Sequence, residues 1–149
     1  ILIFSQGKVL MVKRPLTKKV NPGKYSGIGG KVEPGESYLA AAKRELQEET
    51  GLAIANLRPY GVTQSVTPSF NAEWVHVNFL ATLPDQVSLP SSEEGDFHWL
   101  DPATVEGLEM VSDLKAYVQI LAKNKQAHLL GQFIFDQQDK LIEKKIQVF

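Results

Sequence analysis

Three absences limit what this sequence can encode: it has no cysteine, almost no net charge and no long apolar run. Without cysteine, a disulfide framework, a thiolate nucleophile and a zinc site with thiolate ligands are all excluded. The histidines His76, His98 and His128 are far apart in the sequence, and none forms a closely spaced zinc-binding pair. The 16 Lys and Arg residues and 17 Asp and Glu residues give a formal charge of -1, which argues against a protein that coats nucleic acid or an anionic membrane.

The composition is that of an ordinary globular protein. Hydrophobic residues make up 43% and charged residues 22% of the 149 positions, which excludes a disordered or collagen-like chain. The first residues, ILIFSQGK, form too short an apolar run for a signal peptide or a membrane span. We therefore expect a soluble, cytoplasmic protein that binds no membrane and no nucleic acid polymer, folded as a single domain over residues 1–149.

The apolar pattern predicts strands before and after two main helices. Alternation onto one face is clearest where Val75, Val77 and Phe79 recur at every second position. The predicted strands cover residues 1–4, 9–12, 57–66, 74–83, 97–100, 129–135 and 140–148. Strands and helices mixed in one chain of this length indicate an α/β fold.

Capping signals and helical spacing predict the helices. Ser37 is a suitable N-cap for a helix that runs to about Thr50, and Gly51 suits the left-handed position just past its end. Asp101 followed by proline is a start signal for a short helix. Ser112 opens the second main helix, whose apolar residues follow the i, i+3, i+4, i+7 spacing of an amphipathic face.

Three glutamates on the first main helix lie at positions where their negative charges destabilise a solvated helix. Glu45, Glu48 and Glu49 are spaced i, i+3, i+4, so each like-charged pair costs about 0.2–0.5 kcal/mol. Glu48 and Glu49 also lie near the helix C-terminus, where the dipole disfavours anions by about 0.3–1 kcal/mol each. One interpretation is an ordinary acidic face, partly neutralised by Lys43 and Arg44. The other is a site for a hard divalent cation, Mg²⁺ or Mn²⁺.

The spacing around these glutamates matches a known signature. Five residues separate a glycine from the next glutamate, and seven more precede an Arg-Glu-Leu triplet. The signature positions are, in order, Gly30, Glu36, Arg44, Glu45, Leu46, Glu48, Glu49, Gly51 and Leu52. At average residue frequencies a chance match is rarer than roughly one in a million. The segment 30–52 therefore resembles a complete Nudix box, and the chain is identified as a member of the Nudix hydrolase family.

The resemblance implies a fold and a reaction. Nudix proteins fold as an α/β/α sandwich with a mixed sheet flanked by helices. Their enzymes hydrolyse a nucleoside diphosphate linked to another group and use Mg²⁺ or Mn²⁺. By resemblance, Glu45, Glu48 and Glu49 supply metal ligands, directly or through water, together with the backbone carbonyl of Gly29.

The resemblance also implies positioning and proton-transfer roles. Glu36 and Arg44 are expected to pair and to hold the loop against the helix. A carboxylate takes a proton from the attacking water, and family members differ over which carboxylate does so. Glu94 resembles the glutamate that some members carry on a later loop, so it is expected to bind the metal or to act as the base, and Glu93 beside it is the fallback. The box glutamates are the alternative.

Other segments resemble the MutT-type branch, which cleaves nucleoside triphosphates, including oxidised purines such as 8-oxo-dGTP, to a nucleoside monophosphate and pyrophosphate. These segments are GKYSGIGGKVEPGE, EWVHVNF, EEGDFHWL and GQFIFDQQDKLIEKKIQV. At the base-reading positions Ser26 replaces an Asn, and Met110 lies near the position of a Trp. Of a pair of Asp residues only Asp113 matches, since Ser112 lies near the first. Lys31, after the glycine pair, is expected to touch phosphate or to flank the metal site.

Two further functions stay open from the sequence. Pro68 lies near the position of a proline that some family members acting on ADP-ribose or another nucleoside-diphosphate compound carry. A nucleotide-sensing module without catalysis is the third hypothesis, although every box carboxylate is present. In each case the expected partner is a small nucleotide, bound by a monomer or a homodimer.

A basic segment precedes the glycine-rich stretch. Its cations are Lys13, Arg14, Lys18, Lys19 and Lys24. We interpret them either as a solvated loop or as contacts that steer a polyphosphate to the site.

Overall fold

The computed structural model describes residues 1–111 and 114–149, apart from the side chain of Phe70. These residues form eight strands, two α-helices and two short 3₁₀ segments. The strands are β1 (Leu2–Ser5), β2 (Lys8–Lys13), β3 (Tyr25–Ser26), β4 (Arg58–Thr67), β5 (Ala72–Thr82), β6 (Asp96–Leu100), β7 (Leu129–Phe135) and β8 (Leu141–Val148). The helices are α1 (Tyr38–Thr50) and α2 (Leu114–Lys123), and the 3₁₀ segments are Pro68–Phe70 and Val105–Gly107.

All eight strands belong to one mixed sheet. Its order is β3-β2-β1-β5-β4-β7-β8, with β6 paired to β2 off this path. The pairs β1–β5 and β4–β7 are parallel, and the remaining neighbours are antiparallel. The α/β prediction is therefore confirmed, and the C-terminal hairpin of β7 and β8 is part of the same sheet.

Each face of the sheet carries its own hydrophobic core. Side chains alternate along β1, so that Leu2 and Phe4 join one core and Ile3 joins the other. The first core contains the apolar face of α2, including Tyr117, and the second contains Leu46 of α1. The layers are helix, sheet and helix, as the sandwich prediction required.

The ends of α1 lie where the capping signals placed them. The Ser37 hydroxyl accepts a hydrogen bond from the Ala40 N–H at 3.2 Å. Gly51 has φ 73° and donates its N–H to the Gln47 carbonyl at 2.8 Å. Because Leu46 is fully buried, the helix is held against the sheet, and the glutamates near its C-terminal end lie around the cleft described below.

Two predictions for the later elements differ from the structure or fall outside it. No α-helix starts at Asp101; its carboxylate instead accepts from the Ala103 N–H at 2.8 Å and caps a turn that leads into the 3₁₀ segment. Ser112, the expected start of the second main helix, lies outside the described residues, and α2 is described from Leu114. Within the described part of the chain, no helix has the length and apolar character needed to cross a membrane.

Candidate active site

The glycine pair before the box lies directly against α1. The Gly29 N–H donates to Glu49 Oε1 at 3.1 Å. A Cβ atom at Gly30 would overlap the carboxyl group of Glu45, so no larger residue fits there without displacing that group. The backbone at Gly29 and Gly30 therefore lies directly against the carboxyl groups of Glu49 and Glu45.

Arg44 ties the following loop to α1. Its Nε and Nη2 donate to the two oxygens of Glu36, each at 3.0 Å, and Nη2 also donates to the Lys31 carbonyl at 3.0 Å. The Arg44 guanidinium, with help from the Glu33 N–H, lowers the pKa of the Glu36 carboxyl, and Glu36 and Glu45 raise the pKa of Arg44. The pair expected from the box is present and fixes the loop beside the helix.

The same guanidinium also contacts two box glutamates. Arg44 Nη1 donates to Glu45 Oε1 at 2.8 Å and to Glu48 Oε2 at 3.2 Å. The cation thereby offsets the repulsion that the i, i+3 spacing imposes on these carboxylates. In this arrangement Glu45 and Glu48 face Arg44.

Glu49 has the most perturbed carboxyl group of the cluster. Burial raises its pKa to about 7, although the hydrogen bond from the Gly29 N–H acts in the opposite direction. The negative charges of Glu94 and Glu45 raise it further. The metal-free site therefore holds a proton on Glu49 up to near-neutral pH.

Glu94 reaches the same site from the turn before β6. The backbone N–H groups of Ser92 and Gly95 donate to each other's carbonyls at 3.0 and 3.1 Å, and the Glu94 N–H donates to the Ser92 hydroxyl at 3.2 Å. Gly95 has φ 138°, and a Cβ atom there would overlap the Lys13 carbonyl. This close approach to β2 holds Glu94 at the edge of the cleft.

Two cations of the basic segment pair with Glu94. Lys18 Nζ lies 2.7 Å from Oε1, and Arg14 Nη1 lies 3.4 Å from Oε2. The basic segment is interpreted either as a solvated loop or as contacts for a polyphosphate. The pairing of Arg14 and Lys18 with Glu94 favours contact with the site for these two residues.

These groups line a single cleft of about 540 Å³. Its lining residues are Arg14, Gly29, Gly30, Glu45, Glu48, Glu49, Ser92, Glu93 and Glu94. The structure therefore brings together the glycine, the box glutamates and the loop glutamate that the sequence singled out. Ser92 was not predicted from the sequence to line the site. Its position two residues before Glu94 is the one local signal that could have indicated it.

The residues expected to read the base or touch phosphate lie outside this lining. Ser26 is buried, and its hydroxyl has no hydrogen-bond partner among the described residues. Met110 is buried in the core on the α2 side. Lys31 is exposed, with Nζ 5.8 Å from the ring centroid of Trp74. Asp113 lies outside the described residues.

The cleft fits a hard divalent cation by donor type. Carboxylate and backbone carbonyl oxygens are the ligands such ions prefer, and Gly30 leaves room for the Glu45 carboxyl. As the side chains stand, no three acidic or histidine groups within residues 1–111 and 114–149 are placed to hold a metal ion. In this arrangement Arg44 is hydrogen-bonded to both Glu45 and Glu48.

Comparison with known proteins agrees with the geometry. The chain is 28% identical to an oxidized purine nucleoside triphosphate hydrolase of Danio rerio, over 98% of this chain and 90% of the relative. It is also 28% identical to the uncharacterized Nudix hydrolase YvcI of Bacillus subtilis, over 97% of this chain and 90% of that protein. A MutT protein from Bacillus halodurans has a similar crystal structure, with a TM-score of 0.83, 27% identity, and coverage of 98% of this chain and 94% of that one. Residues 1–119 match the family model of the Nudix domain, and the chain therefore belongs to the Nudix family, whose hydrolases act on pyrophosphate bonds and use divalent metals such as Mg²⁺.

Proposed function

We propose that this protein hydrolyses nucleoside triphosphates to a nucleoside monophosphate and pyrophosphate with Mg²⁺ as its cation. The observation that carries the proposal is the convergence of five carboxylates around one open cleft, those of Glu45, Glu48, Glu49, Glu93 and Glu94. A cluster of that charge suits a cation and, through it, an anionic phosphate chain.

One relative supports a nucleoside triphosphate as the substrate. The Danio rerio relative, which matches nearly the whole chain, is named for hydrolysis of oxidized purine nucleoside triphosphates. We propose that the same class, with oxidised purine deoxynucleotides such as 8-oxo-dGTP, includes the substrate here. We also propose that residues 1–149 act as one domain, since β7 and β8 continue the sheet beyond the family match.

We assign the metal ligands to Glu45, Glu48, Glu49 and the backbone carbonyl of Gly29, with Glu94 as a further candidate ligand. A bound divalent cation neutralises phosphate oxygens and lowers the pKa of water. Arg44, already bonded to Glu36 and to Lys31, would keep the loop in place while Glu45 and Glu48 turn to the cation. Its role is to position these groups.

Proton transfer from the attacking water is assigned to a carboxylate of the cleft. Glu49 Oε1 accepts the Gly29 N–H, which leaves Oε2 for a second contact. Glu94 also lines the cleft, on the turn before β6, and pairs with two cations. We propose these two groups as the candidates for the general base, because both line the cleft and neither carboxylate is bonded to Arg44.

Base recognition is assigned to the region around Ser26. Its buried hydroxyl lacks a partner among the described residues and can both donate to and accept from a base edge. Met110 is buried nearby, since Met110 and Tyr25 form a β-bridge and Tyr25 precedes Ser26. Asp113 is proposed as a second reader of the base and Lys31 as a phosphate contact.

The experiment that tests this proposal is a product analysis over a panel of substrates. We expect the purified protein with Mg²⁺ to release pyrophosphate from at least one member of a panel of dNTPs, 8-oxo-dGTP and 2-oxo-dATP. Cleavage of ADP-ribose alone, giving AMP and ribose phosphate, would replace the proposal with a nucleoside-diphosphate hydrolase. Nucleotide binding without turnover would instead support a sensing module.

A further inference from the structure

A self-bonded loop carries a lysine to the candidate site. The loop of residues 14–24, here the basic loop, closes through backbone bonds from the Arg14 N–H to the Lys24 carbonyl at 3.0 Å and from the Gly23 N–H to the Arg14 carbonyl at 3.1 Å. Near its start, the Lys18 N–H donates to the Pro15 carbonyl at 3.2 Å. The Lys18 side chain leaves this turn and ends on Glu94.

Contacts outside the loop already hold Glu94. The reciprocal bonds between Ser92 and Gly95, and the close approach of Gly95 to the Lys13 carbonyl, set the turn that carries it. The Lys18–Glu94 pair is therefore a contact between the basic loop and a turn whose backbone is held by other contacts.

The two cations on Glu94 differ in how firmly they are held. Arg14 also donates its Nε to the Val20 carbonyl at 3.1 Å, which anchors its guanidinium. Among the described residues, Lys18 Nζ has no hydrogen-bond partner besides Glu94, and its side chain is 29% exposed beside a Glu94 side chain that is 35% exposed. An ammonium on a flexible stem at a solvent-accessible pair can move to a new anion at little cost.

We propose that Lys18 is a positioning residue that exchanges between two anions. In the empty cleft it pairs with Glu94 Oε1, while Arg14 pairs with Oε2. When a substrate's phosphate chain enters, the Lys18 ammonium moves to the phosphate oxygens and leaves Oε1 of Glu94 free to act on the cation or the water. This inference rests on the proposed function, because it requires a phosphate chain in the cleft. It links substrate entry to the release of a carboxylate.

The exchange predicts opposite effects on two binding constants. Without Lys18, Oε1 of Glu94 is available from the start, so the site binds a cation alone more tightly. Without Lys18, the phosphate chain also loses a contact, so the substrate binds more weakly. A residue that only stabilises the loop would weaken both.

The experiment compares Lys18→Gln with Lys19→Gln, which removes the same charge from the neighbouring exposed position. Mn²⁺ alone is titrated and the free ion is followed by its EPR signal, and the Michaelis constant is measured for the best nucleotide of the panel. We expect Lys18→Gln to lower the dissociation constant of Mn²⁺ by about two- to fivefold and to raise the Michaelis constant by at least that factor. Lys19→Gln should change neither by more than about 1.5-fold, because salt screens its charge.

A double-mutant cycle with Glu94→Gln tests whether Lys18 acts through Glu94. We expect Lys18→Gln to leave the Mn²⁺ constant unchanged in the Glu94→Gln background. Persistence of its effect there, equal effects of Lys18→Gln and Lys19→Gln, or both constants weakening together would each overturn the exchange. If the wild-type protein hydrolyses no nucleotide of the panel, the proposed function fails; if it does and only these contrasts are missing, the inference alone fails.

Discussion

At the scale of single residues, Glu49 connects the fold to the chemistry of the site. It is buried against the Gly29 backbone while Glu45 and Glu94 add negative charge, and its pKa is raised to about 7. A carboxylate that binds a cation must be ionised, so cation binding and loss of this proton are coupled. In the metal-free site, burial and the neighbouring negative charges therefore make the ionised form of Glu49 less favourable than it is in water.

The sign of the resulting pH dependence follows from linkage. Between pH 4.5, the ordinary value, and about pH 7, the folded metal-free protein holds more protons at Glu49 than the unfolded chain does. The free energy of unfolding that this group contributes therefore falls as pH rises through that window. We expect the unfolding temperature of the metal-free wild type, measured relative to Glu49→Gln, to fall between about pH 5 and pH 8. A flat difference, or one that rises with pH, would contradict this environment for Glu49.

At the scale of elements, the site depends on how the glycine pair packs against α1. The helix begins at its cap Ser37 and ends at Gly51, and its buried Leu46 orients the glutamates beside the loop. Gly30 lies where a Cβ atom would overlap the Glu45 carboxyl. The site therefore depends on close packing of the loop backbone against α1.

Gly30→Ala tests this packing. The added methyl group should displace Glu45 and weaken Mg²⁺ binding by at least about tenfold, as loss of a supporting contact at a metal site does. The matched control is Gly107→Ala, because a Cβ atom there meets nothing within 4 Å and Gly107 has no positive φ. Calorimetric titration with Mg²⁺ measures both variants. Equal affinities in Gly30→Ala and Gly107→Ala would show that the loop backbone does not shape the site.

At the scale of the whole molecule, a buried hydrogen-bond chain connects α2 to the centre of the sheet. The Tyr117 and Thr63 hydroxyls lie 2.9 Å apart, and Asn78 Nδ2 donates to the Thr63 hydroxyl at 2.7 Å. Tyr117 also fills the space above Gly131, where a Cβ atom would overlap its hydroxyl. These side-chain contacts connect α2 with β4, β5 and β7, and so connect the C-terminal hairpin with the rest of the fold.

Tyr117→Phe should destabilise the protein without changing the site. We expect the free energy of unfolding to fall by about 1 kcal/mol, the low end for a lost buried hydrogen bond, because Thr63 keeps its bond from Asn78. Denaturant unfolding measures the change. Tyr38→Phe, at an exposed position on α1, should leave the stability unchanged. Equal stability of both variants would mean that the hydroxyl contributes nothing to the link.

The sequence predicted those parts of the molecule that depend on local signals. Ser37 and Gly51 mark the ends of α1 because caps act within a few residues, and the period of the apolar pattern identified the strands of both cores. Asp101 shows the limit of such signals, since the same cap-and-proline pattern here closes a turn.

Contacts between distant or competing groups were beyond the sequence. Lys18 and Glu94 are 76 residues apart, and their contact depends on the close approach of Gly95 to Lys13. The engagement of Glu45 and Glu48 by Arg44 is a choice between rotamers that spacing does not decide. Such contacts depend on the assembled fold, which explains why the sequence did not predict them.

The most direct test of the account is the turnover number of Glu48→Gln and Glu49→Gln in Mg²⁺. Each change removes one charge and keeps the shape of the side chain. We predict that each lowers kcat by at least ~100-fold, with cooperative unfolding retained, while Glu109→Gln, at an exposed glutamate away from the cleft, stays near the wild-type rate. Near-wild-type rates in both box variants would contradict a reaction that depends on these carboxylates.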